Sequence, residues 1–504
     1  VAHDMAFYIT TAIDYVNGQP HMGHAYEKIA TDVLARHMRQ RGEDVFFLTG
    51  TDEHGEPVAE AAEREGIEPR QLADRNAERF KRLLPALAIS NDFFIRTTDP
   101  EHERRVQEIL QRVYDNGHVY RGTYEGWYCP RCADFKTESE VGADQRCPIH
   151  GIKPRREREE NWFFALSSFQ APLERLYRQR PDFVVPAARF NEASAFLAAG
   201  LQDVSLTRAR LRWGVQVPWD PEQVFYVWFD ALLNYVTALS YARPGRDLLA
   251  DYWPADVHMI GKDILKFHAI FWPALLLAAD LEPPRHVLVH GFLLTDDRKM
   301  SKSLGNVLDP FAVVEAFGAD ALRYYCLREV SFGQDGNVST AGFEARYESE
   351  LANEYGNLAS RTLAMITRYC AAVVPACPTD PALAGEFAGL ADTVAQLFDR
   401  FELSLALELI WQRVRRLNRY VEERAPWQLA RRPEAQPELD QTLASLAEGL
   451  RVVSVLLHPY MPIATSRLLE ALGAPQHDHR QAVFAGCGNG AAVGELAPLF
   501  PKRA

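Results

Sequence analysis

The first fifty residues restrict the fold more than any other stretch. Phe7-Tyr8-Ile9-Thr10-Thr11 is a β-branched and aromatic run, Asn17-Gly18-Gln19-Pro20 breaks it, and Tyr26, Ile29, Val33 and His37 then recur at helical spacing until Gly42. Val45-Phe46-Phe47-Leu48 follows as a second buried strand, so the stretch reads as one βαβ unit of a parallel sheet. Such sheets bind ligands at the carboxyl ends of their strands, where the first helix offers backbone N–H groups to phosphate. His21-Met22-Gly23-His24 lies there. At i and i+3 the two imidazoles share a helix face, and Gly23 puts no side chain in the way of a nucleotide. Histidines at a helix start also serve as plain caps or solvated residues, and the four residues alone leave both readings open.

Five hundred and four residues exceed a single core, so roughly two to four domains are expected. A net charge of −13 excludes a chain that coats nucleic acid indiscriminately but leaves room for a local basic face. No run of eighteen apolar residues and no leader pattern occurs, so a cytoplasmic protein without a membrane partner is expected. Of seven cysteines, three fall within residues 129–147. In a cytosolic chain that points to a metal site with buried thiols elsewhere.

Along the chain, Thr49-Gly50-Thr51-Asp52-Glu53-His54-Gly55 is a polar loop at a strand end, where Asp52 is either an ammonium acceptor or a turn former. Residues 58–90 and 100–117 are helical in pattern. Cys129-Pro130-Arg131-Cys132 and Cys147-Pro148-Ile149-His150 form two pairs about fourteen residues apart, the ligand spacing of a closed tetrahedral zinc site. Residues 151–215 read as the rest of an insertion. Trp228, Leu232 and Tyr235 then line one helical face, a stripe that by itself signals core packing. Val257-His258-Met259-Ile260 and Val287-Leu288-Val289 are further buried strands, the first ending in Gly261-Lys262-Asp263 before a helix with Ile264 and His268. Lys299-Met300-Ser301-Lys302-Ser303 describes a cationic loop able to fold over polyphosphate or, equally, a solvated basic turn. Asp309-Pro310 is a helix start.

His21-Met22-Gly23-His24 paired with Lys299-Met300-Ser301-Lys302-Ser303 on one alternating α/β framework resembles the two signatures of class I aminoacyl-tRNA synthetases. The zinc-type insertion, the Thr51–Gly55 loop, Trp228-Phe229-Asp230-Ala231, Gly261-Lys262-Asp263-Ile264 and the helical tail are similar to the methionyl branch of that family over essentially the whole chain. The resemblance implies a Rossmann-like parallel-sheet catalytic domain carrying a zinc-binding insertion, followed by an α-helical anticodon-binding bundle. It implies activation of L-methionine by ATP, brought in with magnesium, and transfer to the 3′ end of tRNA(Met), the initiator included. It assigns His21, His24, Lys299 and Lys302 to catalysis by charge stabilisation, and Gly23, Gly261, Lys262, Asp263, Met300 and Ser301 to ATP. Ile13, Tyr15, Asp52, Trp228, Ala231, Leu232, Tyr235, Ile264 and His268 fall to methionine, Asn357, Arg361 and Trp427 to the anticodon, and Cys129, Cys132, Cys147 and His150 to one zinc. Asp14, beside Tyr15, departs from the family's usual uncharged residue.

After about residue 346 strands give way to long helical patterns over Leu351–Tyr369, Val394–Val421 and Leu439–Leu457. A bundle follows, with Arg413, Arg415, Arg416, Arg419 and Arg424 crowding one stretch, a solvated face or one that meets RNA phosphate. Expected boundaries are 1–115 and 216–295 for the two halves of the sheet domain, 116–215 for the insertion, 296–345 for the lysine-loop linker and 346–504 for the bundle. A monomer is expected. The competing readings are another adenylyl-transferring enzyme of the same superfamily and an inactive tRNA-binding paralogue.

Overall fold

The computed structural model describes residues 6–502 apart from 131–133, 137, 142, 149–150, 296–297 and 300–308, with the backbone alone at 124, 134–135, 139, 295 and 298–299. The chain forms two compact units. The first comprises Val1–Pro20, Val45–Leu84 and Asn91–Gly291, and the second His21–Asp44, Pro85–Ser90 and Phe292–Ala504. No helix among the described residues is long and apolar enough to cross a membrane.

The first unit is built on a seven-stranded sheet: β1 (Ala6–Thr11), β2 (Asp14–Tyr15), β3 (Asp44–Asp52), β4 (Phe93–Arg96), β5 (Val184–Val185), β6 (Val257–Gly261) and β7 (His286–His290). The order is β2-β3-β1-β6-β7-β5, with β4 against β3. Pairing is parallel, with Thr10 opposite His258, Val257 opposite His286 and Leu48 opposite Phe93. The apolar runs that read as buried strands are buried on both faces, as a parallel sheet requires: Phe46, Phe47, Leu48, Val257, Met259, Ile260 and Val287–Val289 are all closed off from solvent. At Gly50 the strands approach so closely that a Cβ would sit 2.1 Å from the Ile95 carbonyl oxygen, which only glycine avoids.

The strand order reverses between β1 and β6. In a doubly wound sheet that point opens the ligand crevice at the carboxyl ends, here after Thr11 and Gly261. The helix that follows β1 and β2, α1 (Met22–Gln40), groups with the second unit. The expected helix over 58–90 is two, Glu56–Glu65 and Pro69–Ala86, divided where Gly66 turns left-handed. Next comes α2 (Pro100–Asp115), capped by Asp99, which accepts from the Glu101 N–H. An antiparallel sheet over 119–205 follows, its long ladder pairing Val119–Cys129 with Arg155–Phe164. The aromatic stripe breaks into α3 (Val227–Leu232) and α4 (Asn234–Tyr241).

The second unit holds α1, the helix Pro310–Phe317 capped by Asp309 as expected, α5 (Ala319–Glu329), α6 (Asn357–Tyr369), α7 (Leu390–Asp399), α8 (Leu403–Arg424), α9 (Gln436–Leu457) and α10 (Pro462–Ala471). The helix expected over 394–421 divides at Phe401, whose φ is +60°. The one expected over 351–369 opens with π-type turns, Tyr347–Gly356. The far half of α1 is embedded in these helices: the Gln40 amide donates to the Val455 carbonyl at 2.9 Å, the His37 ring stacks on Phe398 at 3.7 Å, and Arg41 pairs with Asp399.

Candidate active site

The two histidines that start α1 cap it reciprocally. His21 is the N-cap, with extended backbone, and its Nδ1 accepts the Gly23 N–H at 3.0 Å; Nδ1 of His24 accepts the His21 N–H at 3.1 Å. The rings stack 3.7 Å apart. Both Nδ1 atoms act as acceptors, so each neutral ring carries its proton on Nε2, and the helix start presents two N–H donors beside its own dipole. Capping engages Nδ1 of each ring and so does not compete with a role for Nε2, and the two readings left open by the sequence do not exclude each other. Gly23 serves the cap, because a Cβ there would meet the His21 ring at 2.9 Å.

Lys299 belongs to the same unit, on the short strand Arg298–Lys299 antiparallel to Leu293–Thr295. Its side chain, and Met300, Ser301 and Lys302 entirely, lie outside the described residues.

The residues assigned to the amino acid all lie in the first unit. Ile13 follows β1, Tyr15 and Asp52 end β2 and β3, and Ile264 follows β6 together with the ATP-assigned Gly261, Lys262 and Asp263, whereas Trp228, Ala231 and Leu232 are on α3 and Tyr235 is on α4. Ile13, Tyr15, Trp228 and Ile264 stay partly open on the core, whereas Ala231, Leu232, Tyr235 and His268 are buried. Trp228 stacks flat on Phe267 at 3.8 Å and meets Tyr15 edge-on. His268 Nδ1 lies 3.1 Å from the Ile264 carbonyl and must donate to it; Nε2 therefore accepts from the Tyr235 hydroxyl at 2.8 Å. His268 sits in a single π-type turn, Phe267–Phe271, a distortion that recurs at functional sites.

Asp52 is 2% exposed, and its Oδ1 has no hydrogen-bond partner among the described residues. Burial and the neighbouring Asp230 carboxylate push its carboxyl well above the usual range. A buried carboxylate in that condition lacks a cation. Asp263 Oδ1 would lie 2.8 Å from a Cβ on Gly261, so glycine there makes room for the Asp263 side chain.

Cys129 and Cys147 are buried thiols outside any disulfide, Cys129 at the end of the strand Val119–Cys129 and Cys147 ahead of its partner strand Arg155–Phe164, which suits ligands of a soft metal. Cys132 and His150 lie outside the described residues, and no metal-ligating group of three is complete among the described ones.

In the second unit Asn357 opens α6 on the surface, Arg361 follows one turn on, and Trp427 is half-buried in the turn Pro426–Leu429 after the left-handed Ala425. Arg361 pairs with Glu422 near the end of α8 at 3.2 Å. The arginine-rich stretch is less basic than its composition. Arg415 meets Glu350 and Glu354, Arg416 meets Glu386 and Glu423, and Arg424 meets Glu438; only Arg413 and Arg419 lack a carboxylate partner among the described residues.

Sequence reasoning missed the groups behind Asp52, where His54 and His102 both bond to Asp230. The polar loop contained His54 and the Trp228–Ala231 motif contained Asp230, but nothing local pairs either of them with the other or with His102. Sequence reasoning also gave Phe267 no role, and the stack on Trp228 adds a second ring to that aromatic surface.

The family described as tRNA synthetases class I (M) matches residues 7–148 and 142–363. A methionine–tRNA ligase of Caldanaerobacter subterraneus is 44% identical over 471 residues, 93% of this chain and 74% of that protein. One of Rhizobium meliloti is 43% identical over 98% of both chains. The structure of Mycobacterium tuberculosis methionyl-tRNA synthetase with methionyl-adenylate superposes with a TM-score of 0.94 at 41% identity, covering 99% of this chain and all of that one. Sequence, sheet order and the capped histidine pair thus agree, and the chain belongs to the class I tRNA synthetases of the methionine type.

Proposed function

We infer that the chain is a methionine–tRNA ligase, which activates L-methionine with ATP to methionyl-adenylate and pyrophosphate and then passes the acyl group to the 3′ end of tRNA(Met), the initiator included. The observation that carries this reading is Asp52, a buried carboxylate with an unpartnered oxygen in the unit that also holds the Trp228–Phe267 stack. An ammonium group answers such a carboxylate, and a flexible thioether suits an aromatic wall.

In the first step a methionine carboxylate oxygen attacks the α-phosphorus, the bond to pyrophosphate breaks, and charge builds on the phosphoryl oxygens. His21 and His24 through Nε2–H, with Lys299 and Lys302, stabilise that charge without transferring protons. Gly23, Gly261, Lys262, Asp263, Met300 and Ser301 hold the nucleotide. ATP enters as its magnesium complex, whose metal supplies positive charge to the phosphates. Cys129, Cys132, Cys147 and His150 would hold one zinc, which supplies a structural staple for an insertion without a large core. Asn357, Arg361 and Trp427 read the anticodon, where an unstacked base packs on the indole. The same reading takes the protein as a cytoplasmic monomer.

ATP–pyrophosphate exchange run with methionine and with each other amino acid tests the reading. Exchange driven by methionine above all others supports it; exchange driven by a different amino acid, or by none, overturns it. Zinc content well under one atom per chain overturns the metal assignment.

A further inference from the structure

Behind Asp52 the first unit holds a chain of buried ionisable groups to which the adenylation chemistry gives no task. His54, two residues on, is 2% exposed and places Nδ1 2.6 Å from Asp230 Oδ2. Its Nε2 lies 3.5 Å from Glu103 Oε1, and the Trp213 ring meets it edge-on. Asp230, on α3 and wholly buried, takes a second bond through Oδ1 from His102 Nε2 at 2.7 Å. The other nitrogen of His102 lies 2.7 Å from the Thr237 hydroxyl on α4, which fixes that ring. Glu53, between Asp52 and His54, is held by a two-pronged pair with Arg96 at 2.7 and 2.8 Å.

The charges can be added up. Asp52, Glu53 and Asp230 are the buried carboxylates, Glu103 being 40% exposed and so left to solvent in the sum; Arg96 answers Glu53, and a protonated His54 answers Asp230. One negative charge is left over, on the Asp52 oxygen that has no partner. With His54 neutral, two buried carboxylates would share the site, and one of them would take a proton instead of a ligand's cation.

We propose that His54 and Asp230 are positioning residues for amino-acid activation: the His54 imidazolium, held between Asp230 and Glu103, cancels Asp230 so that Asp52 alone presents an uncompensated charge to the substrate's α-ammonium group. This rests on the assignment of Asp52 to that group. The balance of forces agrees: burial disfavours the His54 cation, but Asp230 and Glu103 outweigh it and lift the group to about 10, while Asp230, despite its burial, is held down to about 2 by the two histidines. On Asp52 itself burial acts most strongly and raises the carboxyl, Asp230 raises it further, His54 opposes Asp230 in part, and Glu53 adds a smaller upward push.

The sign follows. Protonation of Asp52 opposes ammonium binding, so the KM for methionine rises as pH falls through the Asp52 titration. Removing the neighbouring cation moves that limb upward. The test is the KM for methionine in ATP–pyrophosphate exchange as a function of pH in wild type, His54→Gln, the double variant His54→Gln/Asp230→Asn and Asp52→Asn. His54→Gln is expected to move the acid limb up by about one unit, a roughly tenfold higher KM on the limb, with the KM for ATP unchanged. The double variant, which removes both members of the pair, moves it back toward wild type. A His54→Gln limb coincident with wild type, or a double variant no nearer wild type than the single, overturns the proposal. An Asp52→Asn variant with wild-type methionine KM instead refutes the Asp52 assignment beneath it. If His54→Gln does not fold, 15N-histidine NMR of the wild type decides. An imidazolium at His54 throughout about pH 6 to 9 supports the proposal, and a neutral ring overturns it.

Discussion

Arg323 Nη2 lies 2.7 Å from Asp32 Oδ2, and neither side chain reaches solvent. Asp32 is on α1 and Arg323 on α5. Arg323 also donates to the carbonyls of Leu87, Pro459 and Tyr460, while Ser90 and Arg36 donate to Asp32. Such a pair adds little over an apolar core, but breaking it leaves a charge stranded. Arg323→Met is expected to lower stability by about 3–5 kcal/mol in urea unfolding, and a loss under about 1 kcal/mol would contradict this account. Burial raises the Asp32 carboxyl, yet Arg323, Arg36 and Ser90 more than offset it and the net shift is downward. The stability it contributes is therefore present above the unfolded carboxylate range and fades on acidification below about pH 4, and Asp32→Asn should flatten that acid limb.

The reciprocal cap separates structure from chemistry at His24. Glutamine at this position also reaches back to the N-cap N–H, so His24→Gln should keep α1 within about 1 kcal/mol of wild-type stability. It loses the imidazole donor, and methionine-dependent exchange should fall on the order of 10²-fold. Near-normal exchange in a folded His24→Gln protein would exclude the ring from adenylation.

Tyr235→Phe deletes the hydroxyl that His268 Nε2 accepts from, inside a site where both residues are 1% exposed. Loss of a buried donor costs about 1–3 kcal/mol. Steady-state exchange kinetics should show it in the KM for methionine, with the KM for ATP unmoved. An unchanged methionine KM would take the Tyr235–His268 bond out of the pocket.

Trp427→Ala should reduce aminoacylation of tRNA(Met) by roughly 10-fold or more, the loss of one base stack of about 1–3 kcal/mol, while leaving methionine-dependent exchange intact. Equal losses in the two assays would mean misfolding and not a lost RNA contact.

The sheet was legible because its strands are buried on both faces. Runs such as Val45–Leu48 and Val257–Ile260 leave no polar position to suggest anything else. The candidate sites at the strand ends stood out in the sequence because glycine, charge and histidine cluster there. Two helix breaks were missed. The helical pattern ran straight through Gly66, whose residue type does mark a break, while Phe401 turns left-handed with no chemical sign of it. Pairing at a distance was not legible at all. His102 and Asp230 are 128 residues apart, and the arginines of α8 read as a basic face because local counting cannot see Glu350, Glu354 or Glu438 arriving from other helices.

Helix α1 also bears on how the chain can be cut. The histidine pair begins it, yet Asp32, His37 and Gln40 farther along are fastened to Arg323, Phe398 and Val455 of the helical unit. A 19-residue helix is a rod of about 28 Å, so these anchorages bear on one stiff body. Splitting the gene near residue 346 to obtain a minimal adenylating fragment would remove Phe398 and Val455, two of the surfaces against which that rod is seated. The sequence signature would survive intact in a fragment whose first helix had lost part of its mounting, and modularity read from sequence order would mislead anyone building a chimera.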